Sequence, residues 1–316
     1  MVGDAPRDVL GVAPVTPSTR VRRIAAALAR VRHRRPLVHC LTNFVTMVDV
    51  ANALSAIGAQ PAMAHALEEV AEVAGRAGAL VLNLGTPGPE RIDAMLAAAA
   101  AAHARGRPVV LDPVRVGTSA FRTAAGARLL SAARPDIVRG SATEIVALVG
   151  PDRARGPVAG AAGATVDAAA AAGALARRHG IVVAATGARD VVTDGEEAIA
   201  VDHGHPLLAV ITGAGDMVTA LIAAFAAVEP DRLTATTGAL VVFGLAAEDA
   251  ARRARGPGTF RAALLDSLYA LTPEGVRHRG RVLEGEETPL RPTRARPGTG
   301  RATRATIRRR GARRGP

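Results

Sequence analysis

The chain has 316 residues, of which 49% are hydrophobic and 2% aromatic, so it can bury a large core built mainly from small aliphatic side chains. The single cysteine, Cys40, excludes an intramolecular disulfide framework and a zinc site with several cysteine ligands, and it suits a reducing cytoplasm. The net charge is +12, and residues 271–316, with thirteen arginines and four glutamates, contribute +9 of it. The basic character therefore belongs to the C-terminal segment.

Composition divides the chain into three regions. Residues 1–17 form a lead-in rich in proline and small residues, and residues 18–275 alternate apolar runs with Ala-rich segments typical of a folded domain. Residues 276–316 repeat Arg, Pro, Gly and Thr, a composition that cannot bury enough surface to offset the entropy of ordering. We therefore predict a disordered tail from residue 276 and expect truncation there to leave activity within a few-fold.

The predicted elements of the middle region follow the order strand then helix. Short Val- and Ile-rich runs predict strands over 80–84, 108–111, 136–139 and 181–184, and Ala-rich segments predict helices over 90–105, 167–179 and 217–227. Continuous apolar strands joined by helices indicate an α/β fold, with a mostly parallel central sheet and helices on both faces. Ligands of such sheets bind beyond the carboxyl ends of the strands, so residues that follow each run are the candidates for function.

No segment near the N-terminus has the layout of a signal peptide. The most apolar stretch, 209–228, is long enough for a membrane but contains Asp216, and a carboxylate at mid-bilayer costs at least about 2.5 kcal/mol. We therefore expect a cytoplasmic protein that does not span a membrane.

Two carboxylates follow neighbouring predicted strands. Asp112 ends the 108–111 run, and Glu144 follows the 136–139 run after a short turn. Together they could hold Mg²⁺, which favours a few carboxylates plus substrate phosphates. The alternative is structural, with Asp112 a turn residue and Glu144 part of the opening turn of a helix.

Arg139 and Thr186 end the next two predicted strands, where they could contact the phosphates of a nucleotide. A plain exit from strand to turn explains Thr186 equally well. The chain contains no lysine, so a P-loop kinase is excluded.

The strongest local signal is the sequence TGAGD at 212–216, which leads into an apolar helical run. The backbone N–H groups of Gly213, Ala214 and Gly215 could form an anion hole for a phosphoryl group in transfer, because a helix N-terminus favours negative charge. Asp216 is placed to take a proton from a hydroxyl nucleophile. The alternative makes Asp216 only a helix N-cap.

Several runs in the same order resemble hydroxyethylthiazole kinases. They are PLVHCLTN at 36–43, ANAL at 51–54, IGAQPAMAH at 57–65, LNLG at 82–85, VLDPVRVG at 110–117, VRGSATE at 138–144, ATG at 185–187, GHPL at 204–207 and TGAGD at 212–216. The resemblance implies a ribokinase-like fold and ATP-dependent phosphorylation of 4-methyl-5-(2-hydroxyethyl)thiazole in thiamine salvage. It also implies Mg²⁺ and a homotrimer with active sites between subunits.

The resemblance also assigns expected roles to individual residues. Met63 and Gly213 would contact the thiazole substrate, and Asn43 matches a family asparagine that we place with them. For the remaining roles, Arg139 and Thr186 would bind ATP, while Asp112 and Glu144 would organise Mg²⁺.

The chain departs from the family pattern at four positions. Cys40 and Ser141 replace asparagines, and Arg115 replaces a glycine. Asp216 stands where this family generally has cysteine, although the wider ribokinase superfamily uses aspartate as its base in the same pattern.

Two other functions remain open from the sequence. A superfamily relative could phosphorylate another small alcohol, such as hydroxymethylpyrimidine. In a different class, an inactive kinase-like domain could bind nucleic acid through its Arg-rich tail.

Overall fold

The computed structural model describes residues 18–150 and 168–284, which form one nine-stranded sheet covered by helices on both faces. The order of strands across the sheet is β2-β1-β3-β4-β5-β6-β7-β8-β9. The predicted lead-in, 1–17, and the tail beyond 284 lie outside the described residues.

Six strands are parallel, and four of them overlap the strands predicted from the sequence. They are β1 (Leu37–Leu41), β2 (Gln60–Ala62), β3 (Ala79–Asn83), β4 (Val109–Asp112), β5 (Ile137–Ser141) and β6 (Val182–Thr186). The central strands β3 and β4 are buried along their whole length, as continuous apolar runs require when helices cover both faces. The predicted fold class is confirmed.

The sheet continues into an antiparallel part that the sequence did not predict. Its strands are β7 (Asp190–Thr193), β8 (Ala198–Val201) and β9 (Leu283–Glu284). These strands have two to four residues, which is too short for an alternation of apolar and polar residues to distinguish a strand from a loop.

Eleven α-helices surround the sheet in the described residues. They are α1 (Thr19–Arg34), α2 (Met47–Ile57), α3 (Val70–Arg76), α4 (Pro89–His103), α5 (Ala120–Arg128), α6 (Ala142–Val149), α7 (Ala168–His179), α8 (Ala214–Ala226), α9 (Arg232–Ala251), α10 (Pro257–Ala270) and α11 (Pro273–Arg279). Helices α1, α2 and α8–α11 pack on one face of the sheet, and α3–α7 pack on the other. Because the buried side chains are mostly Ala, Val, Leu and Ile, the helices and the sheet pack closely without aromatic filling.

Helix α9 is the one helix of the described residues that is long and apolar enough to cross a membrane. Its most apolar window is 89% buried inside the protein, and it packs against α8 and α10. Helix α9 therefore has the burial of a core helix.

The folded region extends past residue 275, where the sequence predicted the start of a disordered tail. Val276 in α11 is fully buried, and the Arg279 guanidinium donates to both carboxylate oxygens of Asp249 at 2.6 and 2.9 Å. Beyond α11, β9 pairs with β8, and Glu284 accepts a hydrogen bond from Arg20 at 2.8 Å. The predicted boundary at residue 275 was wrong. Residues 276–284 pack on the domain, but they belong to a long Arg-rich segment whose composition is typical of a disordered tail.

This boundary predicts different outcomes for two truncations. A chain ending at Glu284 keeps α11 and β9 and is the reference for the shorter chain. A chain ending at Gly275 loses the buried Val276 side chain, worth roughly 1.5–3 kcal/mol, together with the ion pair to Asp249. We expect its melting temperature to fall by several degrees in calorimetry. Equal melting temperatures would show that residues 276–284 do not stabilise the domain.

Candidate active site

Polar side chains from five parallel strands meet at the carboxyl edge of the sheet. They are Asn43 just after β1, Asn83 at the end of β3, Asp112 at the end of β4, Arg139 in β5 and Thr186 at the end of β6. Helix α8 begins at the same edge, because its Asp216 carboxylate is hydrogen-bonded to Asn43 and Asn83. Residues far apart in sequence thus form one polar cluster.

The Asp216 carboxylate is held by three side-chain donors. Its Oδ1 accepts from Asn83 Nδ2 at 2.8 Å, and its Oδ2 accepts from Asn43 Nδ2 at 3.0 Å and from Thr46 Oγ1 at 2.5 Å. The N-cap of α8 is Gly213, and no side chain caps the helix. The alternative that Asp216 is only a helix cap is therefore wrong.

Thr46 and Asn83 belong to this cluster, although neither was a candidate site residue from the sequence. The Asn83 side chain is fully buried, and its Oδ1 accepts from Asn43 Nδ2 at 3.2 Å and from the Gly85 N–H at 2.9 Å. The sequence does contain a signal for Asn83, because this residue ends a buried apolar run as Asp112 does. The structure pairs Asn83 with Asp112 across β3 and β4. No comparable pattern marks Thr46.

Glycines allow the N-terminus of α8 to approach its neighbours. Gly213 has φ +91°, and a Cβ there would lie 2.8 Å from Thr46 Cγ2. A Cβ on Gly215 would clash with the Arg139 guanidinium. The first N–H groups of a helix have no intrahelical partner, so those of Gly213, Ala214 and Gly215 are suited to bind an anion beside Arg139.

Arg139 joins two of the predicted site residues. Its Nη2 donates to Thr186 Oγ1 at 2.6 Å, and its Nη1 lies 3.5 Å from Asp112 Oδ2. The Arg139 side chain is 14% exposed, so its charge is only partly screened by water. The guanidinium, the Thr186 hydroxyl and the start of α8 together can bind phosphate.

Asp112 is a buried carboxyl whose pKa is raised to about 7. Burial is the main cause, and the negative charges of Asp216 and Glu144 add to it, while Arg139 and the hydroxyl of Thr219 oppose it. Thr219 Oγ1 donates to Asp112 Oδ2 at 2.7 Å. A cation bound here would relieve the cost of the buried negative charge.

Glu144 lies at the first turn of α6, as the structural alternative also expected. Its Oε2 accepts from the Ser141 N–H at 2.7 Å and from Ser141 Oγ at 2.8 Å, which completes a capping box with Ser141 as N-cap. Its Oε1 accepts from the N–H of Arg115 at 2.6 Å, and Arg115 has a left-handed φ of +58°. The departure at Ser141 thus supplies the cap of α6.

The donors present fit Mg²⁺ held jointly with substrate phosphates. Residues 18–150 and 168–284 contain no group of three or more His, Cys, Asp or Glu side chains arranged to hold a metal ion. Asp112 and Glu144 nevertheless lie close enough for the charge of Glu144 to raise the pKa of Asp112. Mg²⁺ commonly binds to one or two carboxylates and completes its shell with phosphate and water.

The remaining sequence candidates lie around β1 and β2. Met63 follows β2 in a loop whose His65 ring bridges the carbonyl oxygens of Met63 and Thr42 at 2.6 and 2.9 Å. This loop is therefore tied to the residue that precedes Asn43. Cys40 is fully buried in β1, and burial raises the pKa of its thiol, so the group is unreactive.

A cavity of about 770 Å³ opens beside Arg139 and Thr186. Its apolar wall includes Val218 of α8 with Leu240 and Phe243 of α9. The volume falls in the range of small-molecule and cofactor sites.

Asp190 lines this cavity, and burial raises its pKa to about 6. Between about pH 4 and pH 6 the folded chain keeps a proton on Asp190 that the unfolded chain releases, so this group lowers stability as pH rises. We expect the free energy of unfolding of Asp190→Asn, relative to wild type, to rise by about 1–3 kcal/mol across this window. Denaturant titrations at several pH values test this. A difference that does not change with pH would contradict it.

The comparisons with known proteins agree with the geometry. The sequence model of the hydroxyethylthiazole kinase family matches residues 28–274. A hydroxyethylthiazole kinase of Desulforudis audaxviator is 54% identical over 262 residues, which cover 82% of this chain and 95% of the relative. One from Roseiflexus is 48% identical over 264 residues, covering 84% of this chain and 97% of that protein.

Solved structures support the same conclusion. The hydroxyethylthiazole kinase protein of Pyrococcus horikoshii has a TM-score of 0.77 and 43% identity, covering 84% of this chain and 100% of that one. A ribokinase-like superfamily protein of Enterococcus faecalis, 14% identical with a TM-score of 0.55, shares the fold. The resemblance inferred from the sequence is thus confirmed, and the chain belongs to the hydroxyethylthiazole kinase family.

Proposed function

We propose that this chain transfers the γ-phosphoryl group of ATP to the hydroxyl of 4-methyl-5-(2-hydroxyethyl)thiazole in thiamine salvage. Identity of 48–54% to hydroxyethylthiazole kinases over more than 80% of the chain supports this activity. The observation that carries the mechanism is the Asp216 carboxylate, held by Asn43, Thr46 and Asn83 beside the start of α8.

In the proposed mechanism Asp216 accepts the proton of the substrate hydroxyl while the hydroxyl oxygen attacks the γ-phosphorus. A carboxylate has about four lone-pair sites, and three are engaged by Asn43, Thr46 and Asn83, which fix its orientation and leave one site for the proton. The N–H groups of Gly213, Ala214 and Gly215 stabilise the charge on the transferring phosphoryl group. Positioning and charge stabilisation account for most of phosphoryl-transfer catalysis.

Arg139 and Thr186 bind the ATP phosphates in this proposal, and their mutual hydrogen bond at 2.6 Å holds the guanidinium in place. Asp112 and Glu144 would hold Mg²⁺, which neutralises phosphate charge when bound. Met63, Gly213 and Asn43 surround the thiazole alcohol. Gly213 is adjacent to the helix start, so a substrate placed against it presents its hydroxyl to Asp216.

We also propose a cytoplasmic homotrimer with active sites between subunits. Phe44, Val45 and Val48 have 60–70% exposure, and they lie within the five residues that follow Asn43. An apolar patch of this kind next to a site is typical of a subunit interface. Sedimentation of the full chain tests the assembly.

A kinase of hydroxymethylpyrimidine is the second candidate, because Asp216 has the residue type that the wider superfamily uses as base. A panel of both alcohols with ATP and Mg²⁺, read by the phosphorylated product in mass spectrometry, separates the two functions. We expect a higher kcat/KM for the thiazole alcohol. Preference for the pyrimidine alcohol would reject the first proposal, and phosphorylation of neither alcohol would reject both.

A further inference from the structure

The cavity beside Arg139 contains a carboxylate that the proposed phosphoryl transfer does not use. Asp190 begins β7, and its Oδ1 accepts a hydrogen bond from the Gly187 N–H at 2.9 Å. Within the described residues this is the only hydrogen bond of its side chain that the structure shows. Asp190 is about half-buried and lines the cavity, so its remaining lone pairs are available to a molecule bound there.

Strand alternation places Asp190 on the same face of the sheet as the phosphate-binding groups. Val192, two residues along β7, packs in the core under α8 and α9, and so does Ala184, which precedes Thr186 by two residues in β6. Arg139 pairs with Ala184 across β5 and β6 and acts electrostatically on Asp190. Arg139, Thr186 and Asp190 therefore lie in this order on successive strands.

The order of these three residues across the strands matches the order of phosphates and ribose along a nucleoside triphosphate. Arg139 and Thr186 lie beside the start of α8, where the proposed function places the phosphates. Asp190 lies on the next strand, β7, and the lining of the cavity also includes the apolar side chains of Leu208, Leu240 and Phe243. The part of ATP between its phosphates and its base is the ribose.

The hydrogen-bonding chemistry of a carboxylate limits which part of a nucleotide can bind at Asp190. An ionised carboxylate only accepts hydrogen bonds and repels phosphate, so its ligand must be a neutral donor. We propose that Asp190 accepts hydrogen bonds from the ribose hydroxyls of the nucleotide and selects ribonucleotides over deoxyribonucleotides. This inference rests on the proposed use of ATP.

The test compares binding of ATP, 2′-deoxy-ATP and 3′-deoxy-ATP by calorimetry. A hydrogen bond to a charged group predicts that wild type binds ATP roughly 10- to 100-fold more tightly than at least one deoxy analogue. Asp190→Ala should weaken the binding of ATP by a similar factor. Its affinity for that analogue should stay within about three-fold of the wild-type affinity. Asp190→Asn, which keeps an acceptor for the Gly187 N–H, checks that lost discrimination is not a folding defect.

A matched control is Asp93→Asn, since Asp93 is exposed, pairs with Arg128 at 2.9 Å and does not line the cavity. It should retain the wild-type preference for ATP. Equal weakening of ATP and both deoxy analogues by Asp190→Ala would overturn the inference. So would a wild type that binds all three nucleotides alike.

Failure of the inference at Asp190 can be distinguished from failure of the proposed function. If wild type phosphorylates the thiazole alcohol but ignores the ribose hydroxyls, the inference at Asp190 fails and the function stands. If ribose discrimination disappears in Asp190→Ala but no thiazole alcohol is phosphorylated, the inference stands and the function fails.

Discussion

Asp216→Asn should lower kcat by roughly 10²- to 10⁴-fold, the usual contribution of a positioned general base. Asparagine keeps the size of the side chain but cannot accept the hydroxyl proton at neutral pH. Its amide also directs N–H groups at some of the donors that now bind the carboxylate, so a loss of stability of about 1–3 kcal/mol should accompany the change. ATP affinity should stay near wild type, because Arg139 and Thr186 are unchanged.

Thr46→Val is the matched control for this variant. It removes one donor to Asp216 and leaves the carboxylate in place, so kcat should fall by less than about ten-fold. Measurements of kcat, ATP affinity and melting temperature on both variants separate loss of the base from loss of packing. If the folded Asp216→Asn protein turned over at the wild-type rate, another group would accept the proton.

Asp112→Asn and Glu144→Gln should each raise the Mg²⁺ concentration for half-maximal activity by ten-fold or more and lower kcat by on the order of 10²-fold. Both changes remove a charge with little change in shape. A glutamine still completes the capping box with Ser141, and an asparagine can still accept from Thr219. The expected loss is therefore of metal-dependent rate and not of fold.

Titration of activity with Mg²⁺ at saturating ATP and alcohol measures this effect. Asp93→Asn is the control, because that carboxylate is exposed and pairs with Arg128 away from the site. Its Mg²⁺ dependence should equal that of wild type. Wild-type rates at limiting Mg²⁺ in both site variants would remove Asp112 and Glu144 from the metal site.

The sequence predicted the parts of the site that follow recognisable strands. Asp112, Arg139 and Thr186 lie at the ends of buried Val-rich runs, and TGAGD at 212–216 marks the glycine-rich entry to α8. Because a continuous apolar run shows where a buried parallel strand ends, the residues that follow it can be identified as site candidates from the sequence alone.

The sequence could not predict contacts that depend on packing between distant segments. The Thr46 hydroxyl meets Asp216 across 170 positions, and nothing in its local sequence distinguishes it from a helix-capping threonine. Asp190 lies in the antiparallel part of the sheet, whose short strands have no clear period. The end of the domain was missed for a similar reason, since Val276 is apolar among many arginines and its burial depends on the faces of α1 and α9.

The most direct test of the proposed base is the pH dependence of kcat in wild type and in Asp216→Cys, which restores the residue type that the family generally has. A thiol with its ordinary pKa of about 8.5 is only a few per cent ionised at pH 7, so a cysteine at this position needs a higher pH to accept the proton. We predict that the ratio of kcat of Asp216→Cys to kcat of wild type rises about ten-fold per pH unit between pH 6 and pH 8. Parallel profiles for the two proteins would contradict the assignment of Asp216 as the group that accepts the proton.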